Sequence, residues 1–175
     1  MKKLSAIVLA IMLALCACTA CAQEIVPGES LALAEALYES PNGFMLMYPA
    51  DGFSITEQYG NDLIVPVDAA LEGISVMVVP VDIPVEEAEG FIYEATGGYM
   101  EGEAVISEIT GWQLASGMDV KHVQAEMAEE LHRYFLITGF DSVFCVTMIY
   151  PVGIAEETVT SLENIIASFA VITSE

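Results

Sequence analysis

The apolar positions of this chain change their spacing several times, and each change marks a new element. The first run, Leu4 to Leu15, is continuous; it follows Lys2 and Lys3 and leads into Cys16-Ala17-Cys18-Thr19-Ala20-Cys21-Ala22. A basic start, an apolar core too short to span a bilayer permanently and small residues at the exit are the pattern of an export signal. Gln23 to Glu29, with Pro27 and Gly28, reads as a tether. Ser30 to Glu39 sets Leu33, Ala36 and Leu37 on one side and predicts a brief helix capped by Ser30, stopped by Pro41-Asn42-Gly43.

From Phe44 the period shortens to two. Phe44, Leu46 and Tyr48 alternate, Pro49-Ala50-Asp51-Gly52 turns the chain, and Phe53 to Glu57 is expected to complete a hairpin. Leu63 to Val67 forms the next strand, and the β-branched run Ile74 to Val81 predicts a central one. After Pro84 the spacing becomes helical, with Val85, Ala88, Ile92, Ala95 and Tyr99 on one face; Glu86 and Glu87 favour the N-terminal end and Gly97-Gly98 the stop. Four further strands follow: Ala104 to Thr110, Asp119 to Met127, Leu131 to Thr138 and Val143 to Tyr150. Their short links require antiparallel neighbours. Ile154 to Phe169 closes the chain with Val159, Leu162, Ile165, Ile166 and Phe169 at helical spacing. This order predicts one antiparallel β-sheet with helices packed on both faces, an α/β/α sandwich. The expected division is signal peptide 1–17, anchor and tether 18–29, and a single domain over 30–175.

Charge changes the picture of partners. Removal of the signal leaves Lys121 and Arg133 against all 26 acidic residues, a formal balance of about −24. Such a surface repels phosphates, so nucleic acid is excluded, as are anionic lipid headgroups except where a covalent lipid overcomes the repulsion. A cationic ligand or an envelope protein is the compatible partner. With 55% of the chain apolar, the domain has ample material for a core.

Two cleavage readings compete at the exit of the signal. Leu15-Cys16-Ala17-Cys18 has the form of a lipobox, which places cleavage between Ala17 and Cys18 and leaves the Cys18 thiol to take a diacylglycerol. Ala20-Cys21-Ala22 is instead a site for ordinary signal peptidase and would release a soluble protein from Gln23. The lipobox is the preferred reading, because it gives the cysteine-rich exit a use. Beyond Cys21 only Cys145 remains, among Val143, Phe144, Val146 and Met148, so no disulfide can form within the domain; a small buried apolar residue is expected there.

At this point the sequence resembles a family. Tyr48-Pro49-Ala50-Asp51-Gly52-Phe53, Arg133-Tyr134-Phe135 leading into a hairpin, Tyr150-Pro151 and Leu162-Glu163-Asn164-Ile165-Ile166-Ala167-Ser168-Phe169 look like the PsbP/DcrB-like group of small envelope lipoproteins. The similarity covers roughly residues 42–171. It implies the same sandwich, an accessory or interaction role, and no catalytic residue or cofactor.

Candidate chemistry is sparse. His122 and His132 lie ten apart on neighbouring predicted strands near Asp119, Glu126, Glu129 and Glu130, but neither His-Glu-x-x-His nor Cys-x-x-Cys occurs in the domain, so no metal site is assigned and solvent-exposed sheet histidines are expected. A hydrolase would need Ser142 or Ser161 beside a histidine, and no Gly-x-Ser-x-Gly elbow is present. Glu86-Glu87, Glu129-Glu130 and Glu156-Glu157 sit at element starts or turns, where solvated carboxylates are the ordinary arrangement. Tyr99, Met100, Trp112 and Met118 are expected in the core; exposed together they would form an apolar binding patch. The reading that results is an exported, lipid-anchored, non-enzymatic binding or accessory module without cofactor. Its alternatives are a small extracytoplasmic hydrolase or metal-dependent enzyme, and a soluble secreted protein cleaved after Ala22.

Overall fold

A computed structural model describes residues 35–99, 102–139 and 141–172. Ala17, Cys18, the alternative site at Ala22 and the tether lie outside the described residues, as does Met100.

The strands form two antiparallel sheets. In the larger, β3 (Phe53–Gln58), β4 (Asn61–Pro66), β5 (Ser75–Val81), β10 (Val143–Pro151), β9 (Glu130–Thr138), β8 (Asp119–Glu126) and β6 (Val105–Ile106) lie side by side in that order, and β7 (Thr110–Gln113) also pairs with β8. The smaller sheet holds β1 (Glu35–Ser40), β2 (Phe44–Pro49) and β11 (Ala170–Val171), with β2 in the middle. Helix α1 (Ala88–Thr96), entered through a 3-10 turn at Val85–Glu87, covers one face of the large sheet; α2 (Glu156–Ala167) covers the other. The expected antiparallel sheet with helices on both faces is the observed architecture, with the small sheet added on the α2 side.

Each face is built by the alternation of side chains along the central strands. On β9 and β10, Phe135, Ile137, Phe144, Val146 and Met148 point to the α2 side, where Phe44 of the small sheet stacks on Phe169 at 4.8 Å and meets Phe144 at 5.6 Å. Their neighbours Leu136, Val143 and Cys145 point to the α1 side and meet Ala88 and Ile92. Removing an aromatic ring of this kind from water contributes about 2–3 kcal/mol, so the α2 side with its five buried phenylalanines is the heavier core. Val85, Ala88, Ile92, Ala95 and Tyr99 all join the α1-side core, and Val159, Leu162, Ile165, Ile166 and Phe169 the α2-side core, as their helical spacing predicts.

Three expectations are corrected. Residues 35–40 of the predicted first helix are strand β1, because the Pro41-Asn42-Gly43 turn folds it back onto β2, and its inward Tyr38 and Ser40 meet Asp62 of β4. Leu37, expected on the apolar face of that helix, is 57% exposed. The segments Phe44 to Tyr48 and Phe53 to Glu57 do not form a hairpin: β2 pairs with β1 and β11, β3 pairs with β4, and the turn between them carries the chain from one sheet to the other. The β3–β4 connection is instead the tight one, with Tyr59 at φ 54° and Gly60 at φ 81°, the paired positive values of a type I′ turn. Finally, Ala104 to Thr110 is not one strand, since its two ends belong to β6 and β7, both borrowed by β8.

Candidate functional site

The register of β8 against β9 decides what the histidines can do. His122 lies opposite Phe135 and therefore on the α2 side, whereas His132 lies opposite Ala125 on the α1 side. The sheet separates them, so they cannot serve one metal ion or one catalytic constellation. Among the described residues no group of three or more His, Cys, Asp or Glu side chains is placed to hold a metal. Ser161 donates to the Glu157 carbonyl at 3.0 Å, and the buried Ser142 hydroxyl has no hydrogen-bond partner among the described residues. The structure therefore brings neither serine to a histidine.

On the α2 side, Arg133 organises a charged cluster. Its Nη1 donates to Glu163 Oε1 of α2, its Nε donates to His122 Nε2 at 3.1 Å, and its guanidinium carbon lies 5.2 Å from the centre of the Phe135 ring. Because Nε2 accepts, the imidazole proton sits on Nδ1, facing the Thr110 hydroxyl at 3.2 Å. Burial, reinforced by the Arg133 charge and opposed by Glu163, pushes the His122 pKa down to about 4. His122 is thus a neutral acceptor rather than the solvent-exposed histidine expected. Trp112 packs edge-on against Phe135 at 4.9 Å and completes this cluster.

On the α1 side the chain of polar contacts is neutral at its inner end. His132 Nε2 faces Glu130 at 3.1 Å and its Nδ1 faces the Tyr99 hydroxyl at 2.7 Å, while Tyr99 and Tyr134 share a hydrogen bond. With Nε2–H given to Glu130, Tyr99 donates to Nδ1 and Tyr134 donates to Tyr99, so both hydroxyls are satisfied in one direction. Burial first, then the bond to Tyr99, raises the Tyr134 pKa. Cys145 lies in the same core, 6% exposed, its thiol pushed up to about 11 by burial. It remains protonated and inert near neutral pH.

A third cluster was not foreseen. Asp62 is fully buried and accepts from Ser40 Oγ at 2.8 Å, Asn42 Nδ2 at 2.9 Å and the Tyr38 hydroxyl, which joins the small sheet to the large one. Burial and this bond raise Tyr38 to about 12. In sequence Asp62 looks like one more turn residue after Tyr59-Gly60-Asn61; only the fold of β1 onto β2 reveals its donors. The patch of Tyr99, Trp112 and Met118 is not assembled, since Tyr99 and Trp112 contribute to opposite cores and Met118 sits 37% exposed in the β7–β8 turn.

Open concave surface is found beside α1. A groove of about 270 Å³ runs between the first turn of the helix and strands β7 to β9, with Val85, Ala88 and Leu136 in its wall and Glu89, Asp119 and Lys121 among its polar residues. A second depression of about 410 Å³ lies on the same helix, formed by Ile83, Gly90 and Phe91 with Glu86, Glu87 and Glu94. The Glu86-Glu87 pair is exposed, as expected, and so is Glu156-Glu157, whereas Glu130 of the third pair is engaged by His132.

No family model matches the chain, and the comparison with curated proteins finds no match. Solved structures do share its fold. The solution structure of cyanobacterial PsbP from Synechocystis is 14% identical over 85% of this chain and 98% of that one, with a TM-score of 0.52. The Ran-binding protein Mog1p of Saccharomyces cerevisiae is 16% identical over 81% of this chain and 97% of that one, also with a TM-score of 0.52. The PsbP-like fold is therefore that of this chain; at these identities the likeness extends to the fold alone.

Proposed function

We propose, from the fold shared with PsbP and Mog1p, that this chain is an exported, membrane-anchored and non-enzymatic binding module of the cell envelope. The observation that carries the module reading is the separation of its two histidines, each already engaged by protein partners on its own face of the sheet. His122 is held neutral under Arg133, and His132 is held between Glu130 and Tyr99. A general base needs a free imidazole beside its nucleophile, whereas both imidazoles are taken up by protein partners and, among the described residues, neither candidate serine, Ser142 or Ser161, lies beside one. One neighbour in fold is by its name a Ran-binding protein, so the scaffold is able to present a protein-binding surface. The anchoring half rests on Leu15-Cys16-Ala17-Cys18 behind a basic, apolar leader.

Lipid attachment is tested by metabolic labelling with a radioactive fatty acid, followed by membrane fractionation, of the full chain and of Cys18→Ser. The wild-type protein is expected to carry label and to sediment with membranes, and Cys18→Ser to lose the label. Unlabelled wild-type protein that is freely released and begins at Gln23 would instead establish the soluble reading favoured by Ala20-Cys21-Ala22 and overturn the anchor.

A further inference from the structure

We infer that the groove between α1 and strands β7 to β9 docks a lysine- or arginine-bearing segment of a partner protein. The inference rests on the reading of this domain as a binding module and identifies the class of partner. Three features point to the occupant. The groove wall is aliphatic at Val85, Ala88 and Leu136, which suits the methylene stem of a long cationic side chain, while Glu89 and Asp119 supply carboxylates for its head. Lys121 already shows the pairing in cis, its ammonium reaching from β8 to Glu89 of α1 at 3.5 Å, with the two side chains 51% and 70% exposed. So exposed a pair is weak, and an incoming cation displaces it at little cost.

The third feature is the bare floor. Gly111 lies opposite Lys121 in the β7–β8 register, and a Cβ built there meets nothing within 4 Å. A depression on the other side of α1 repeats the chemistry, with Ile83 and Phe91 among Glu86, Glu87 and Glu94. A second copy of this chain does not fit, because Lys121 and Arg133 are its only cations beyond Lys3 and two such acidic surfaces repel. Nucleic acid and anionic lipid are excluded on the same ground.

The test titrates the full chain with a labelled peptide alternating lysine and leucine, read by fluorescence anisotropy, with a glutamine-leucine peptide as the uncharged control. Binding of the lysine peptide alone is expected, weakening as salt is raised. Glu89→Gln with Asp119→Asn is expected to weaken it by about tenfold, and Lys121→Gln to tighten it by about threefold. Asp51→Asn with Glu72→Gln makes the same change of charge near the other edge of the sheet and is expected to alter affinity by less than about twofold. Gly111→Val fills the groove without touching any charge, in a strand that favours valine, and is expected to cost about tenfold with the circular dichroism spectrum unchanged. Unaltered binding by Gly111→Val, an equal loss from the distant pair, or no binding by the wild-type chain would overturn the proposal. Those outcomes are independent of lipid labelling at Cys18, so failure of the groove and failure of the anchor are read separately.

Discussion

The two faces of the large sheet solve the same problem with different chemistry. Each carries one histidine and one helix, yet the α2 side locks its helix down with a charge pair and a cluster of phenylalanines, whereas the α1 side uses a chain of tyrosine hydroxyls and a lighter aliphatic core. The difference follows from what each face must bury. Arg133 is 9% exposed and pulls Glu163 and the neutral His122 around itself, because an unpaired guanidinium in that position would be strongly destabilising. Among the described residues the α1 side buries no full charge, and its helix leaves open surface at both sides of its first turns. A face welded by charge holds the fold together, and a lightly packed face with acidic edges is left to meet a partner.

The largest break in this comparison is expected from Glu163→Gln, which leaves Arg133 buried without its carboxylate. A loss of about 2 kcal/mol in urea unfolding is expected, below the full cost of stripping a buried pair because 34% of the Glu163 side chain is in water. An unchanged midpoint would show that the pair does not hold α2 to the sheet.

Acid should act next, and through the α2 side. His122 has a folded pKa of about 4 against an ordinary 6.5, so the unfolded chain takes up this proton first; its contribution is complete above 6.5 and is lost as the pH falls towards 4. After discounting for the partial exposure of the ring, wild type is expected to lose on the order of 1 kcal/mol more than His122→Gln across that interval. Parallel pH profiles for the two proteins would remove His122 as the source.

The smallest effect is expected on the α1 side. Tyr99→Phe deletes the hydroxyl shared by His132 and Tyr134, and a half-buried site that water can reach makes the cost about 0.5 kcal/mol in the same unfolding experiment. A loss as large as that of Glu163→Gln would erase the distinction between the faces.

Much of this arrangement was legible before any coordinates. The helical spacing of Val85, Ala88, Ile92, Ala95 and Tyr99 placed a helix correctly because all five side chains enter one core. The links at Ala128-Glu129 and Gly139 to Ser142 are too short for anything but the β8–β9–β10 meander that forms. The polar clusters were not legible. Arg133 and Glu163 are 30 residues apart and Tyr38 and Asp62 are 24 apart, so no local pattern joins them.

By itself, then, the sequence determined the acidic balance with Lys121 and Arg133 against it, the helical faces and the antiparallel meander. These depend on local spacing, on composition or on connections too short to permit an alternative. Tertiary structure alone decided that residues 35–40 extend rather than coil, that β2 and β3 part into different sheets, and that His122 and His132 face opposite ways. Those outcomes depend on which distant strand supplies the hydrogen bonds and in what register, and a shift of one residue would exchange every side chain between the two faces.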